Sequence, residues 1–242
     1  MRSRPLDVRL RLLSVRIHRY HVFLVDSVNS PAESSHPVLS GMSSRVAAVI
    51  LAAGDSTRLG VPKQLIEFRG KSLVRGAAIA ASDAGASVVI VVLGADAPSI
   101  AQALEGLPNV TTVSNDQWRD GLASSLATGI REALRLDAQC DGVLITTADQ
   151  PLVNSDSLRR LLSALDSHTR LVAAEYSGTI GVPAAIGREH LDALLLLEGD
   201  AGAGRWLRGM GDAVHRIPLP EAALDIDTAD DLALLATLRD TV

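Results

Sequence analysis

Val46-Ala-Ala-Val-Ile-Leu-Ala-Ala-Gly-Asp-Ser-Thr-Arg-Leu-Gly-Val-Pro-Lys63 begins as an apolar run and ends as a polar loop. Val46 to Leu51 has the aliphatic composition of a strand covered on both faces. The run stops at the small residues Ala52, Ala53 and Gly54. A hydroxyl pair (Ser56, Thr57), Arg58, Gly60 and Pro62-Lys63 follow. A rigid strand ending in a glycine loop with two cations suits a polyphosphate. Gly54 lets backbone N–H groups approach an anion, and Arg58 and Lys63 neutralise it.

Outward from this stretch, short apolar runs alternate with longer amphipathic ones. Strands are predicted at 87–93, 110–113, 141–146 and 171–175. Helices are predicted at 72–85, 96–105, 122–136 and 154–166, with Ser72 and Asn154 as N-caps and Gly85 as a C-cap. Alternation of this kind implies an α/β fold built on a parallel sheet with right-handed crossovers. Ligands sit outside the carboxyl ends of such strands, so Gly54, Gly94, Asn115 and Asp149 should share one edge. The last third is less regular. A strand over 181–186, helices over 188–197 and 203–209, a short strand over 214–217 and a capped helix over 228–238 are expected there.

The bulk numbers limit the function. The chain has 242 residues, 47% hydrophobic and 21% charged, enough for one large domain with a tail. Its net charge of −5 argues against a nucleic-acid binder. The single cysteine, Cys140, excludes an intramolecular disulfide and a thiolate-cluster zinc site. No long apolar run suggests a membrane span, and a cytoplasmic protein is expected. Residues 1–41 stand apart. They carry six Arg and three acids, so the remainder holds −8. The Ser- and Pro-containing stretch 29–37 reads as a linker. Residues 1–41 are therefore expected to be a disordered or non-native extension, ahead of a single domain over 42–242.

Spacing removes two common phosphate loops. Gly54-Asp-Ser-Thr-Arg-Leu-Gly60 is not Gly-x-Gly-x-x-Gly. Nor is it Gly-x-x-x-x-Gly-Lys, since Lys63 comes three residues after Gly60. Leu51-Ala-Ala-Gly-Asp-Ser-Thr-Arg-Leu-Gly60 with Pro62-Lys63 instead resembles the opening of the molybdopterin-guanine/cytosine-dinucleotide nucleotidyltransferases, the molybdenum cofactor cytidylyltransferases among them. The resemblance continues through Asp120-Gly-Leu-Ala-Ser-Ser-Leu126, Thr147-Ala-Asp-Gln-Pro151, Glu198-Gly-Asp-Ala-Gly-Ala-Gly204 and Leu224-Asp-Ile-Asp-Thr-Ala-Asp-Asp-Leu232.

The resemblance implies a three-layer αβα domain of the nucleotide-diphospho-sugar-transferase kind. It implies cytidylyl transfer from CTP to molybdopterin with release of diphosphate, the product passing to a molybdoenzyme. It further implies Mg2+, with Mn2+ as a substitute, held by Asp149 and Asp227, Asp225 being the reserve for the second. Leu51, Ala52, Ala53 and Gly54 would wrap the nucleotide while Arg58 and Lys63 contact its phosphates. Ser124, Ser125, Gly199 and Asp200 would complete the binding surface, although both serines also sit where they could simply cap a helix. Ala53, where guanylyl members carry Gly, favours CTP over GTP. Val182 stands where relatives often have His, which leaves a sugar- or polyol-phosphate acceptor open. A nucleotide-binding regulator without turnover is the reading from another class. Trp118, Trp206, His190, His215 and Cys140 are read as packing residues.

Overall fold

The computed structural model describes residues 12–17, 20–25 and 45–239. The chain divides into two compact units, 1–42 and 43–242. In the first, β1 (Leu12–Ile17) and β2 (Tyr20–Val25) pair antiparallel. The remainder of the expected extension lies outside the described residues.

The second unit starts with β3 (Val46–Ala52), every residue of which is buried. A two-stranded hairpin, β4 (Glu67–Phe68) and β5 (Lys71–Ser72), leads into α1 (Leu73–Asp83). Then come β6 (Val89–Leu93), α2 (Ala97–Leu104), β7 (Val110–Ser114), α3 (Leu122–Leu136), β8 (Gly142–Thr147) and α4 (Ser155–Ala164). The chain continues through β9 (Leu171–Tyr176), β10 (Thr179–Gly187), α5 (Leu191–Leu195), α6 (Ala203–Gly209), β11 (His215–Pro218) and α7 (Ala229–Arg239).

Seven of these strands form one sheet in the order β11-β9-β10-β8-β3-β6-β7. All its neighbouring pairs are parallel except those made by β10. Alternate residues of β3 explain the layers. Ala48, Ile50 and Ala52 face a core with α1, α2 and α4, while Ala47, Val49 and Leu51 face one with α3, α5 and α6. A third cluster joins the β4–β5 hairpin to α7 through Phe68, Ile226 and Leu235. The fold is thus the expected three-layer αβα arrangement on a mostly parallel sheet.

Three local expectations change. The strand at 181–186 is longer and runs antiparallel, because Ser177 (φ 51°) and Gly178 (φ 74°) form a two-residue turn that folds β10 straight back on β9. Positive φ at both central residues is the geometry that matches strand twist in a hairpin. The helix expected over 188–197 breaks into a 3-10 turn (Arg188–His190) and the short α5. Ser72 stands at the N-cap of α1 without making a side-chain cap bond, whereas Asn154 accepts from the Ser157 N–H at 3.0 Å as expected.

Candidate active site

The carboxyl ends of β3 and β8 open into a cavity of about 600 Å³. Leu51, Ala52, Ala53 and Gly54 form one wall, Thr147 and Asp149 another, and Trp118, Ser125 and Asp200 close it from the α3 side. Lys63 stands at its boundary with a smaller cavity of about 190 Å³, which Arg58 and Asp227 also line.

The loop wall is held in one conformation by a side chain that sequence reasoning missed. Gln64 is 2% exposed, and its Nε2 donates to the carbonyls of Ala52 (3.0 Å) and Gly54 (2.8 Å). With those carbonyls turned to Gln64, no protein acceptor among the described residues takes the N–H groups of Ala53 and Gly54. A Cβ placed on Gly54 would meet no protein atom within 4 Å. Free donors beside open space make an anion cradle. The Ser56 hydroxyl adds a tie by accepting from the Lys63 backbone N–H at 3.0 Å.

Lys63 joins the loop to both acids expected from afar in the chain. Its Nζ lies 2.6 Å from Asp149 Oδ2 and 2.6 Å from Asp227 Oδ1. The two carboxylate oxygens therefore lie no further apart than twice that distance. Burial alone would lower the Lys63 pKa, but the charges and hydrogen bonds of Asp149 and Asp227 outweigh it and raise it. Asp227 is positioned by the first turn of α7. Asp231 Oδ2 accepts from the N–H groups of Asp227 (3.0 Å) and Thr228 (2.8 Å), and Thr228 Oγ1 accepts from Asp231 N–H (3.3 Å), so the expected capped start takes the form of a capping box and also aims the acid. The backbone of Asp149 takes part as well, its carbonyl accepting from Ile226 N–H at 3.0 Å.

Asp225 joins the acidic group. As a residue it is exposed, yet desolvation of its carboxyl, the nearby charge of Asp149 and then that of Asp227 push its pKa up to about 6. Among the described residues no group of three or more His, Cys, Asp or Glu is arranged to hold a metal. The Asp149–Asp227 pair still fits a hard cation. Both oxygens already converge on one positive charge, the Lys63 ammonium, and magnesium sites commonly use one or two carboxylates completed by phosphate and water.

Gln150, also missed, is a buried hub behind Asp149. Its Nε2 donates to Ala222 (2.9 Å) and Val182 (3.3 Å) carbonyls, tying β8 to the segment before Asp227 and to β10. Neither glutamine carries a periodic signal. The only hint was their place beside Lys63 and Asp149.

The two serines part company. The Ser124 hydroxyl has its single proton within reach of the Gly121 (2.8 Å) and Gln117 (2.9 Å) carbonyls of its own turn, and it accepts from Asn115 Nδ2 at 2.9 Å. It does not line the cavity. Ser125, bonded to the same Asn115 at 3.0 Å, does. Trp118 packs beside Gly94 as expected of a core residue, but it also lines the cavity with the Arg119 guanidinium 4.1 Å above its ring. Trp206 and His190 pack together at 6.0 Å.

Gly199 works from behind the wall. Its carbonyl accepts from Ala123 N–H at 3.0 Å, satisfying a free donor at the start of α3, and this docking delivers Asp200 to the cavity. The approach is possible because Gly121 has no side chain. Its φ of 113° and ψ of 176° are open essentially to glycine alone, and a Cβ there would lie 2.3 Å from the Gly199 carbonyl. Gly121→Ala is expected to cost about 1–3 kcal/mol in chemical denaturation. Wild-type stability in that variant would show that the turn is not locked in this way.

Comparison with known proteins places the chain in a family. The model of the MobA-like NTP transferase domain matches residues 48–216. A nicotine blue oxidoreductase of Paenarthrobacter nicotinovorans is 33% identical over 77% of this chain and 94% of its own length. The bifunctional enzyme IspD/IspF of Novosphingobium aromaticivorans is 37% identical over 56% of this chain, which spans only 34% of that protein. Among solved structures, Rv0371c of Mycobacterium tuberculosis H37Rv superposes with a TM-score of 0.67 at 29% identity, covering 80% of this chain and 98% of that one. A second Rv0371c structure, in complex with manganese, gives 0.63 at 26% identity over 80% and 98%. Among the described residues no helix is long and apolar enough to cross a membrane. With its glycine loop, its cavity at the strand ends and a family match over most of its length, this chain belongs to the MobA-like NTP transferases.

Proposed function

We propose that the chain transfers a cytidylyl group from CTP to the phosphate of molybdopterin, releasing diphosphate. The observation that carries this reading is the meeting of Lys63, Asp149 and Asp227 beside a loop with free N–H donors. In the reaction, an oxygen of the acceptor phosphate forms a bond to the α-phosphorus while the α–β bridging P–O bond breaks in line. The protein's task is to position and to balance charge. Ala53 and Gly54 N–H groups donate to phosphate oxygens, and Arg58 and Lys63 face the charge that grows on diphosphate. Asp149 and Asp227 would hold magnesium or manganese; the mycobacterial relative solved as a manganese complex supports use of a divalent ion. When bound, the metal supplies Lewis-acid polarisation of the phosphate. Thr147, whose buried Oγ1 has no protein hydrogen-bond partner, offers a hydroxyl to the nucleotide wall.

Base preference rests on the Ala53 methyl group. CTP is expected to be used over GTP by about 10- to 200-fold in kcat/KM, the range one methyl group gives in a fitted pocket. A panel of CTP, GTP, ATP and UTP against molybdopterin, methylerythritol phosphate and sugar phosphates, read by diphosphate release, tests both substrates. Preference for GTP would sink the cytidylyl assignment, and release only with a sugar or polyol phosphate would move the acceptor. The oxidoreductase among the relatives adds one arm, oxidation of NADH or NADPH. Turnover there without diphosphate release from any nucleotide would replace the transferase reading.

A further inference from the structure

The Lys63 ammonium occupies the point on which Asp149 and Asp227 converge, at 2.6 Å from each. A divalent ion bound by both oxygens needs that same place, and two cations cannot share it at such distances. Only the end of the lysine has to move for the place to change hands. Its backbone is fixed by Ser56 Oγ at 3.0 Å and by the turn in which Ile66 N–H donates to the Lys63 carbonyl at 3.1 Å. Its side chain, 17% exposed, borders both the larger cavity and the smaller one lined by Arg58. A flexible four-carbon stem lets the ammonium swing between neighbouring anions.

We infer that Lys63 is a displaceable counter-ion: it holds the Asp149–Asp227 pair closed to free divalent cations until nucleotide phosphates draw the ammonium away. The metal then enters with the nucleotide or after it. Lys63 thereby sets the order of binding, in addition to neutralising phosphate. This inference rests on the metal reading of Asp149 and Asp227 above.

The test is Mn2+ binding to the full-length, nucleotide-free protein, followed by the loss of the free Mn2+ signal in electron paramagnetic resonance. Lys63→Met is expected to bind Mn2+ at least about tenfold more tightly than wild type. Arg58→Met removes a charge from the same loop without touching either acid, and a change under about threefold is expected from its screened position. Asp149→Asn should lose the site in either background. A second reading covers a Lys63→Met protein that folds poorly. Its two acids then face each other without a cation, so Mn2+ should raise its melting temperature more than that of wild type. Equal affinities in Lys63→Met and wild type, with binding still lost in Asp149→Asn, would overturn the counter-ion role and leave the metal site standing. Equal gains in Lys63→Met and Arg58→Met would overturn it too, since a general charge effect would then suffice. Failure of Lys63→Met to bind Mn2+ at all would overturn the metal reading along with it.

Discussion

Asp149→Asn is expected to lower kcat for diphosphate release by about 10²–10³-fold, the scale seen when a single preorganised charge contact is removed from a reacting centre. Folding stability should change by no more than about 1–2 kcal/mol, because Lys63 keeps its second partner, Asp227, so no buried charge is left unpaired. The Asp149 side chain keeps 20% of its exposure. What the fold uses at this position is the backbone carbonyl, which accepts from Ile226 N–H, and Asn keeps that bond. The change also relieves crowding among three acids, since the charge of Asp149 already opposes ionisation of Asp225. Loss of turnover with unchanged denaturation would separate chemistry from architecture. Retention of more than a tenth of wild-type turnover would remove Asp149 from the reacting centre.

The elements legible in the sequence were those whose signal is local. Val46–Ala52 and Val89–Leu93 read as buried strands because aliphatic runs flanked by small or polar residues have few other fates. The start and end of α3 were legible from its amphipathic pattern. Strand direction was not, because a run such as 181–186 looks the same either way. Only the Ser177-Gly178 turn decides it. In the site, the loop and both acids could be singled out by motif. Their meeting on one ammonium could not, because Lys63 is 86 residues from Asp149 and 164 from Asp227. Ser124 and Ser125 look interchangeable as letters, but the turn at Gly121 takes up the first hydroxyl in its own hydrogen bonds and leaves the second, though buried, on the cavity wall. Buried polar residues such as Gln64 and Gln150 were least legible, since neither periodicity nor composition marks a side chain whose partners are main-chain carbonyls.

Gln64→Leu is the variant in which that hidden layer should be most visible. The substitution keeps bulk and removes both donors, so the carbonyls of Ala52 and Gly54 lose their partner. A buried acceptor left without a donor costs about 1–3 kcal/mol, which gives the loop reason to rotate its peptides toward water. Rotation of those peptides turns the Ala53 and Gly54 N–H groups away from the phosphates. The expected result is a rise in KM for CTP with a fall in kcat/KM of about 10²-fold, the order that follows from misplacing a positioning contact by an ångström. Gln64→Glu is expected to be worse. It has the shape of glutamine but no N–H, and it sets a carboxylate against two carbonyls and the incoming triphosphate. Reduced stability alone could imitate part of this, so Leu161→Ala serves as the reference. Leu161 is fully buried in the α4 layer and does not line either cavity, and its truncation costs about 2–5 kcal/mol. Leu161→Ala should unfold earlier yet keep the wild-type KM for CTP, whereas Gln64→Leu should shift KM at temperatures where both are folded. If Gln64→Leu kept the wild-type KM, the loop would hold its shape without the glutamine, and the cradle would owe its form to Gly54 and the end of β3 alone.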